Sequence, residues 1–513
     1  MGQAATFSPG VAAQPVRRRW RTDELIKGFF GSNAFIAIVV LALITVFLFR
    51  EGAGFFGQNL RNIRLYRGAG LEFVDIMRAA ASSHAALARE LNGIRQSAQR
   101  AENAATLEKF DQFSSSFSDA GDDLNGLISD AGEKAVALRD ALALRAGDNE
   151  RANEAQEQTA AKAAPIDETA VLQELRASAA TFAAVTNALS ANVANLLRAP
   201  PRLENPRDRR AFERWTKKVD SYLASLPGTM TKLQQWNRDV PIPAYRAVTS
   251  FLFGRDWITA SFWQDWYGII PLFVGSLMVS IVALALAVPF GVASAIYVSE
   301  VARPGERKLI KPYVEFIAAI PSVVLGFFGI AVVGETIRQL SQSRFLHWVS
   351  FFPVAERLNV FTAGCLLALM AVPTIFTLSE DALRNVPRGF VEASYALGAT
   401  RLQTILRVIV PASLSGIVSA ILLGLGRVIG ETMVVLLCAG NRIAIPDFTQ
   451  GLGAFFQPVH TMTGIIAQEM GEVVRGSIHY RALFMVGLVL FAITLAINYG
   501  AQKLVRRYRM SIG

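Results

Sequence analysis

Apolar segments long enough to cross a membrane lie near the start and in the second half of the chain, on either side of a long polar stretch. A helix needs about 20 apolar residues to cross the hydrocarbon core of a bilayer. The pattern therefore predicts six transmembrane helices, the second of them over-long and so expected to tilt or to lie partly along the interface. The predicted spans are 31–50, 268–299, 313–334, 358–380, 411–438 and 481–502.

The polar stretch between the first two spans, residues 51–260, has a helical pattern of its own. Its apolar residues recur at helical spacing in four places, namely 71–94, 124–144, 171–197 and 212–236. Residues 147–166 contain few apolar side chains and are expected to form a mobile connection. The predicted fold class is an all-α membrane protein with six transmembrane helices and an α-helical bundle inserted between spans 1 and 2.

A cluster of aromatic residues follows this polar stretch, just before the chain is expected to re-enter the bilayer. Aromatic side chains of this kind favour the membrane–water interface. We therefore expect them to mark the boundary between the inserted bundle and the second span. The cluster consists of Trp257, Phe262, Trp263, Trp266 and Tyr267.

Charge sets the expected orientation. The 513-residue chain carries a net charge of +10, and basic residues precede the first span and follow the last. Positive residues beside spans mark the cytoplasmic side. Segment 1–30, loop 381–410 and tail 503–513 are thus expected in the cytoplasm, whereas 51–260 and the loops 335–357 and 439–480 are expected outside it. Nucleic-acid binding is not expected, because no basic stripe with interleaved aromatic residues occurs.

The sequence offers no motif for catalysis or metal binding. Cys365 and Cys438 lie in apolar runs and are interpreted as buried small hydrophobic residues. His84 is expected at the surface rather than in a metal site, because such a site needs several ligands. No Gly-x-x-x-x-Gly-Lys-Ser/Thr motif occurs, so the chain is not expected to bind ATP phosphates itself or to be an enzyme.

A short polar segment between two apolar runs reads Glu392-Ala-Ser-Tyr-Ala-Leu-Gly398-Ala-Thr-Arg401 and is followed by Val408-Ile-Val-Pro411. It resembles the EAA loop of ABC importer permeases, with Ser394 in place of the third small residue. The resemblance implies a helix, a turn and a second helix that sit in a groove on a separate ATPase. The implied ATPase-coupling residues are Glu392, Ala393, Ser394, Gly398 and Pro411.

Each of three of these residues has an expected local role. Glu392 is expected near a helix start, where a negative charge favours the helix dipole. Gly398 permits a turn that a side chain would hinder. Pro411 fits the first turn of the following span.

Three further segments narrow the resemblance. They are Ile320-Pro-Ser-Val-Val-Leu-Gly-Phe-Phe-Gly329, Gly426-Arg-Val-Ile-Gly-Glu-Thr-Met433 and His479-Tyr-Arg-Ala-Leu-Phe484. Together with the flanks of the first span they resemble the PstC-type permeases of phosphate-specific ABC importers, which have the type I importer permease fold. The resemblance covers 20–50 and 250–513, whereas 51–249 departs from the usual pattern. The implied substrate-path residues are Pro321, Ser322, Arg427, Glu431 and Thr432.

Arg427 and Glu431 are four residues apart in a predicted span, which would place them on one helix face. A charge within a membrane is expensive, so the pair is expected to face the bundle interior or a watery path. A guanidinium binds a phosphate oxyanion through two parallel hydrogen bonds. The hypothesis is that Arg427 contacts phosphate in transit and Glu431 neutralises it in the empty channel; the alternative is a structural ion pair.

Small residues accompany this pair and allow close helix approach. They are expected to pack either within the chain or against a second permease subunit. The candidate packing residues are Gly424, Gly426 and Gly430.

The PstC-type resemblance also implies partners. These are a PstA-like permease, a PstB-like ATPase dimer that binds the ATP and a PstS-like phosphate-binding protein, all at a bacterial inner membrane. This chain itself would need no cofactor. Two alternatives stay open: a permease for another oxyanion such as sulfate or molybdate, and a membrane receptor with an outer helical sensor bundle. The short C-terminal tail argues against the receptor.

Overall fold

The computed structural model of the protein describes residues 17–99, 104–145, 167–259, 261–343, 345, 349, 352–354 and 356–509. These residues are mainly helical, with one short β-hairpin. The segment predicted to be a mobile connection, 147–166, lies outside them.

The first helix, α1, is longer than the predicted span 31–50. It runs without interruption over Arg17–Gly68, or 52 residues. At about 1.5 Å per residue such a helix exceeds the hydrocarbon thickness of a bilayer more than twofold. The chain therefore enters the inserted bundle as a continuation of its first span, and no helix boundary marks residue 51.

The predicted helical bundle is confirmed. Beyond α1 it contains five helices among the described residues, whereas the sequence pattern indicated four. The extra helix is α3, whose Phe110, Phe113 and Phe117 are buried at helical spacing. Phe113 and Phe117 contact Trp215, and Phe110 contacts Phe212. The five helices are α2 (Leu71–Ala98), α3 (Ala104–Asp119), α4 (Asp122–Arg145), α5 (Glu168–Arg198) and α6 (Pro206–Gln235).

His84 is buried in this bundle, contrary to the expectation of a surface histidine. Its ring stacks on Phe117 at a centroid distance of 4.6 Å, and Nε2 lies 2.9 Å from the Phe117 carbonyl oxygen. Burial lowers the pKa of His84, which favours the neutral ring. Within the described part of the chain no group of three His, Cys, Asp or Glu residues is placed to hold a metal ion.

A compact connection joins the bundle to the second span. It comprises α7 (Tyr245–Leu252) and an antiparallel hairpin of β1 (Trp257–Ile258) and β2 (Trp266–Tyr267). Trp257 and Tyr267, which were expected at the membrane interface, are instead buried inside the protein at 4% exposure each. The aromatic cluster therefore serves largely as packing between the bundle and the spans.

Two arginines of the bundle fasten this connection. The buried Arg139 guanidinium donates hydrogen bonds to the Phe262 and Trp263 carbonyl oxygens. The Arg78 guanidinium carbon lies 3.5 Å from the ring centre of Trp263, a cation–π contact. The bundle is thus held to the membrane-spanning part by side chains that reach across to it.

Among the described residues, six helices are long and apolar enough to cross a membrane, which confirms the predicted number. They are Glu24–Gly68, Ile270–Val301, Ser322–Ser341, Val360–Arg384, Arg401–Ile429 and Ile478–Lys503. Several spans join shorter helical pieces through π-helical turns. After the hairpin the helices are α8 (Ile270–Ile296), α9 (Pro304–Ala318), α10 (Ser322–Phe328), α11 (Gly334–Ser341), α12 (Val360–Arg384), α13 (Arg388–Ala396), α14 (Arg401–Thr404), α15 (Val410–Ile429), α16 (Met433–Cys438), α17 (Met462–Glu469) and α18 (Ile478–Arg509).

Two predicted spans have different bounds. Span 313–334 was wrong because the chain breaks before Pro321: α9 is a separate helix, and the span begins at Ser322. The residue before a proline avoids the helical conformation, which explains this break. Span 411–438 was also wrong, because the helix starts ten residues earlier, at Arg401, and ends at Ile429.

Helix α12 lies at the centre of the membrane part and packs against α8 and α15. Close approach depends on glycines: a Cβ at Gly291 would lie 2.9 Å from Ile375 Cγ2 of α12, and one at Gly364 would lie 2.4 Å from Val282 Cγ1 of α8. Both cysteines are free thiols; Cys438 is buried, as predicted, and Cys365 is half-buried.

Candidate functional site

The candidate site lies where α15 ends inside the membrane part. Arg427 is in the last turn of α15, Gly430 is its C-cap, and α16 begins only at Met433. Glu431 therefore lies in a helix break and not on the face of α15 that carries Arg427. The prediction of a shared helix face is wrong, because Gly430 ends the helix before the fourth residue is reached.

Arg427 is exposed and forms no ion pair with Glu431 or with any other carboxylate in the described part of the chain. Its Nη1 donates a long hydrogen bond of 3.4 Å to the Thr374 hydroxyl on α12. A guanidinium in a span needs a polar environment. The geometry leaves most of its donors available to an anion.

Glu431 is held by its neighbours at the break. Its Oε1 accepts a hydrogen bond of 3.2 Å from the Met433 amide, and its carbonyl oxygen accepts one of 2.8 Å from Thr463 Oγ1. Thr463 belongs to α17, within the segment that was predicted to be an outer loop. Sequence reasoning did not find Thr463, because nothing in a polar loop pattern indicates that it folds back into the helices.

Pro321 and Ser322 lie at the start of α10, which packs against α16. A Cβ at Gly326 would lie 2.4 Å from Leu437 Cδ1, and Cys438 Sγ donates to the Gly326 carbonyl at 3.3 Å. One helix break thus precedes α10 and another precedes α16, and these two helices pack against each other. Among the described residues no hydrogen bond joins Ser322 or the half-buried Thr432 side chain to Arg427.

The three candidate packing glycines have different surroundings. A Cβ at Gly424 would lie 2.8 Å from Ile375 Cγ1, so this glycine allows α15 to approach α12 within the chain. At Gly426 the nearest atom is Asn498 Oδ1 at 3.8 Å, and at Gly430 only carbonyls of its own turn lie nearby. Packing inside the chain therefore accounts for Gly424 but not for Gly426 and Gly430.

The segment that resembles an EAA loop forms the expected helix, turn and helix. Gly398 follows α13 with φ of +80°, a left-handed conformation that glycine adopts without strain. Thr400 and Gln403 form a capping box at the start of α14. Ser394 Oγ lies 2.9 Å from Thr404 Oγ1, which ties the two helices together.

The surface of this loop is open. Glu392 and Ala393 are exposed, and so are the apolar side chains of Leu397, at 89% exposure, and Leu402, at 65%. Glu392 is the fifth residue of α13, one turn after the helix start near which it was expected. Pro411 is the second residue of α15, but it follows a π-helical turn, Ile405–Ile409, and does not begin a new helix.

Replacing Gly398 by alanine is expected to weaken the turn by about 1 kcal/mol, since a side chain raises the energy of the left-handed conformation. No atom lies within 4 Å of the new Cβ, so the cost is conformational and not steric. Substrate uptake by the assembled transporter should fall severalfold. Gly398→Asn is the matched control, because asparagine tolerates this conformation; equal losses in both variants would contradict the explanation.

A buried ion cluster, which the sequence did not indicate, lies near the loop. Glu380 of α12 has a fully buried side chain, and its Oε2 accepts a hydrogen bond of 2.8 Å from Lys311 Nζ of α9. Arg384 Nη1 lies 3.4 Å from Glu380 Oε1, one helical turn further along α12. The cluster holds the connecting helix α9 to the helix that leads into the EAA-like segment, residues 381–410, which we call the coupling loop.

Known proteins are similar to this chain in sequence. The family described as "Binding-protein-dependent transport system inner membrane component" matches residues 287–510. The phosphate transport system permease protein PstC of Pasteurella multocida is 32% identical over 272 residues, which is 52% of this chain and 82% of the relative. This chain belongs to that permease family.

Two further proteins are similar to parts of this chain. The probable ABC transporter permease protein YqgH of Bacillus subtilis is 35% identical over 241 residues, 46% of this chain and 72% of the relative. A solved structure of the inward-facing MetNI methionine ABC transporter covers 47% of this chain and 94% of its own, at 20% identity and a TM-score of 0.34. The helix break and the coupling loop lie within the family match, and the inserted bundle lies before it.

Proposed function

We propose that this permease forms half of the transmembrane path for ATP-driven import of inorganic phosphate. The observation that carries the proposal is the Arg427 guanidinium, which is exposed in a span and has only the Thr374 hydroxyl as a side-chain partner among the described residues. A phosphate oxyanion fits such a group, because a guanidinium offers paired donors. The curated relatives named as phosphate permeases support the same substrate.

The structure changes one part of the predicted mechanism. Glu431 does not neutralise Arg427 here, since its carboxylate is bonded to the Met433 amide. In the proposed path the anion meets a guanidinium to which no carboxylate is bonded. Glu431 would then limit how tightly phosphate is held by placing a negative charge nearby, so that release stays possible.

Partner chains complete the proposed transporter. A PstA-like permease would cover the side of α15 at Gly430, where only carbonyls of its own turn lie nearby, and would approach Gly426, whose nearest described neighbour is Asn498 Oδ1 at 3.8 Å. A PstB-like ATPase dimer would bind the coupling loop through its exposed Glu392, Leu397 and Leu402 and would bind the ATP. A PstS-like protein would deliver phosphate from outside.

The proposed orientation follows from charge. The coupling loop, the N-terminus and the basic tail face the cytoplasm of a bacterial cell with this protein in its inner membrane. Residues 51–260 then lie outside the cytoplasm, apart from the part of α1 that still crosses the membrane. This places the coupling loop on the side where ATP is available.

The test is ATP-dependent uptake of labelled phosphate by vesicles that contain the complete transporter. Arg427→Lys should lower uptake by about tenfold to a hundredfold, because one hydrogen bond to a charged group contributes about 1.5–3 kcal/mol. Arg475→Lys, in an exposed segment outside the spans, is the matched control and should leave uptake unchanged. Normal uptake by a folded Arg427→Lys complex would refute the transit role.

Competition distinguishes phosphate from related oxyanions. Excess unlabelled phosphate should abolish the uptake of label, whereas sulfate and molybdate should leave it largely intact. Inhibition by sulfate or molybdate at lower concentration than phosphate would assign the permease to that oxyanion instead.

A further inference from the structure

The segment between α16 and α17 turns back into the membrane part, although the sequence indicated an outer loop. Residues 459–465 are all buried. The Val459 amide donates a hydrogen bond of 2.9 Å to the Ala439 carbonyl, and Gly440 pairs with Val459 in a short parallel bridge. The chain then leads into α17, directly beside the break between α15 and α16. We call residues 459–463 the inner segment.

Two contacts fix the inner segment against α8. Met462 N donates a hydrogen bond of 2.9 Å to Ser276 Oγ. The carbonyl oxygen of His460 lies so close to Gly275 that a Cβ there would be 2.0 Å from it. The position of α17 is therefore set by the second span.

Hydrogen bonds between neighbouring residues also hold the inner segment in place. The Thr461 hydroxyl accepts a hydrogen bond of 3.1 Å from the Gly464 amide and so caps α17. The ring of His460 is buried; Nδ1 accepts from the Thr461 amide at 3.0 Å, and Nε2 lies 3.2 Å from Gln468 Oε1. Because Nδ1 accepts, the neutral ring carries its proton on Nε2, which donates to Gln468.

One side chain of this rigid unit reaches the proposed path. Thr463, at 8% exposure, donates its hydroxyl proton to the Glu431 carbonyl oxygen at 2.8 Å. Glu431 directly follows the C-cap of α15. Without the hydrogen bond from Thr463, the backbone at this helix break would be free to change direction. The Glu431 carboxylate would move with it, since Oε1 is bonded to the Met433 amide only two residues on.

We infer that Thr463 is a positioning residue for Glu431 and that its hydroxyl sets the direction in which the carboxylate faces the substrate path. The assignment of Glu431 to that path rests on the proposed function. The bond itself does not, because it is a contact between α17 and the helix break. Thr463 thereby connects α8, through Ser276 and α17, to the helix break that carries Glu431.

The first experiment measures hydrogen exchange in the complete transporter and needs no substrate. Thr463→Val keeps the shape of the side chain and removes the hydroxyl, whereas Thr463→Ser keeps the hydroxyl. We expect amides in the segment that contains Met433 to exchange about fivefold to tenfold faster in Thr463→Val, which is the effect of one lost hydrogen bond. Thr463→Ser should retain the exchange rates of the unmodified protein.

A matched control distinguishes the positioning of Glu431 from a general loss of stability after removal of a buried hydroxyl. Thr362 is fully buried, and its hydroxyl likewise donates to a backbone carbonyl, that of Arg357, at 3.0 Å. Thr362→Val should leave exchange at the Met433 segment unchanged. Unchanged exchange in Thr463→Val, or an equal rise in both valine variants, would overturn the inference.

The second experiment measures uptake in a double-mutant cycle with Glu431→Gln. If Thr463 acts through Glu431, Thr463→Val should lower uptake by about tenfold in the unmodified chain but by less than about twofold when Glu431 is already glutamine. Equal losses in both backgrounds would show a structural role only and would overturn the inference. If no phosphate uptake occurs even in the unmodified transporter, the proposed function fails, while the exchange result still decides whether Thr463 holds the break.

Discussion

Gly275→Ala is expected to destabilise the protein by about 3 kcal/mol or more, because the inner segment leaves no room for a methyl group. The new Cβ would lie 2.0 Å from the carbonyl oxygen of His460 and 3.3 Å from Val459 Cβ. Both neighbouring atoms belong to buried residues, and the nearer one is a backbone atom. Relief therefore requires α8 and the inner segment to move apart.

The measurement is the thermal unfolding midpoint of the purified transporter in detergent. Gly487→Ala in α18 is the matched control, since its Cβ would meet only Ile466 Cδ1 at 3.8 Å and alanine favours a helix. The control should leave the midpoint unchanged or raise it. A Gly275→Ala protein as stable as the control would mean that the inner segment does not pack against α8 in this way.

The number and order of the spans could be predicted from the sequence because apolar length alone defines a membrane helix. The same continuous apolar pattern gave little indication of the helix breaks inside the spans. Residues from Val410 to Cys438 form one apolar run, and only Gly430 followed by Glu431 indicated that the helix ends inside it. A periodic pattern assumes a continuous helix, so Arg427 and Glu431 were placed on one face.

The inner segment and α3 show two different reasons for an incomplete prediction. His460, Thr461 and Thr463 are polar and read as loop residues. The segment they belong to is held by hydrogen bonds to residues far away in the sequence, from the Met462 amide to Ser276 and from Thr463 to the Glu431 carbonyl oxygen. For α3 the signal was present, since Phe110, Phe113 and Phe117 have the spacing of a buried helix face. The burial of the inner segment could not be predicted from the hydrophobic pattern, whereas helix α3 could.

The EAA-like loop was predicted almost completely, because its turn depends on local chemistry. Gly398 adopts the left-handed conformation, and Thr400 caps the next helix with its own side chain. Its attachment to the helices above was not predicted. That attachment includes Glu380, which looks like a polar residue at a span end but has a fully buried side chain.

Lys311→Met is expected to destabilise the protein by about 3 kcal/mol, because it leaves a buried carboxylate with less compensation. Glu380 would keep only Arg384, whose Nη1 lies at 3.4 Å and whose side chain is 47% exposed. The connecting helix α9 would then lose the 2.8 Å contact that fixes it to α12. Uptake should fall together with the unfolding midpoint, since α12 leads directly into the coupling loop.

A second substitution tests whether the buried charge is the cause. Glu380→Gln in the Lys311→Met protein should recover a large part of the lost stability, because the neutral amide does not need a cation. Lys308→Met, at an exposed position of the same helix, should change the midpoint little. If Glu380→Gln instead lowers the midpoint further, the lysine stabilises α9 by packing of its aliphatic chain and not by compensating the carboxylate. Recovery of the midpoint without recovery of uptake would assign the ion pair a further role, in transmitting movement between the coupling loop and α9.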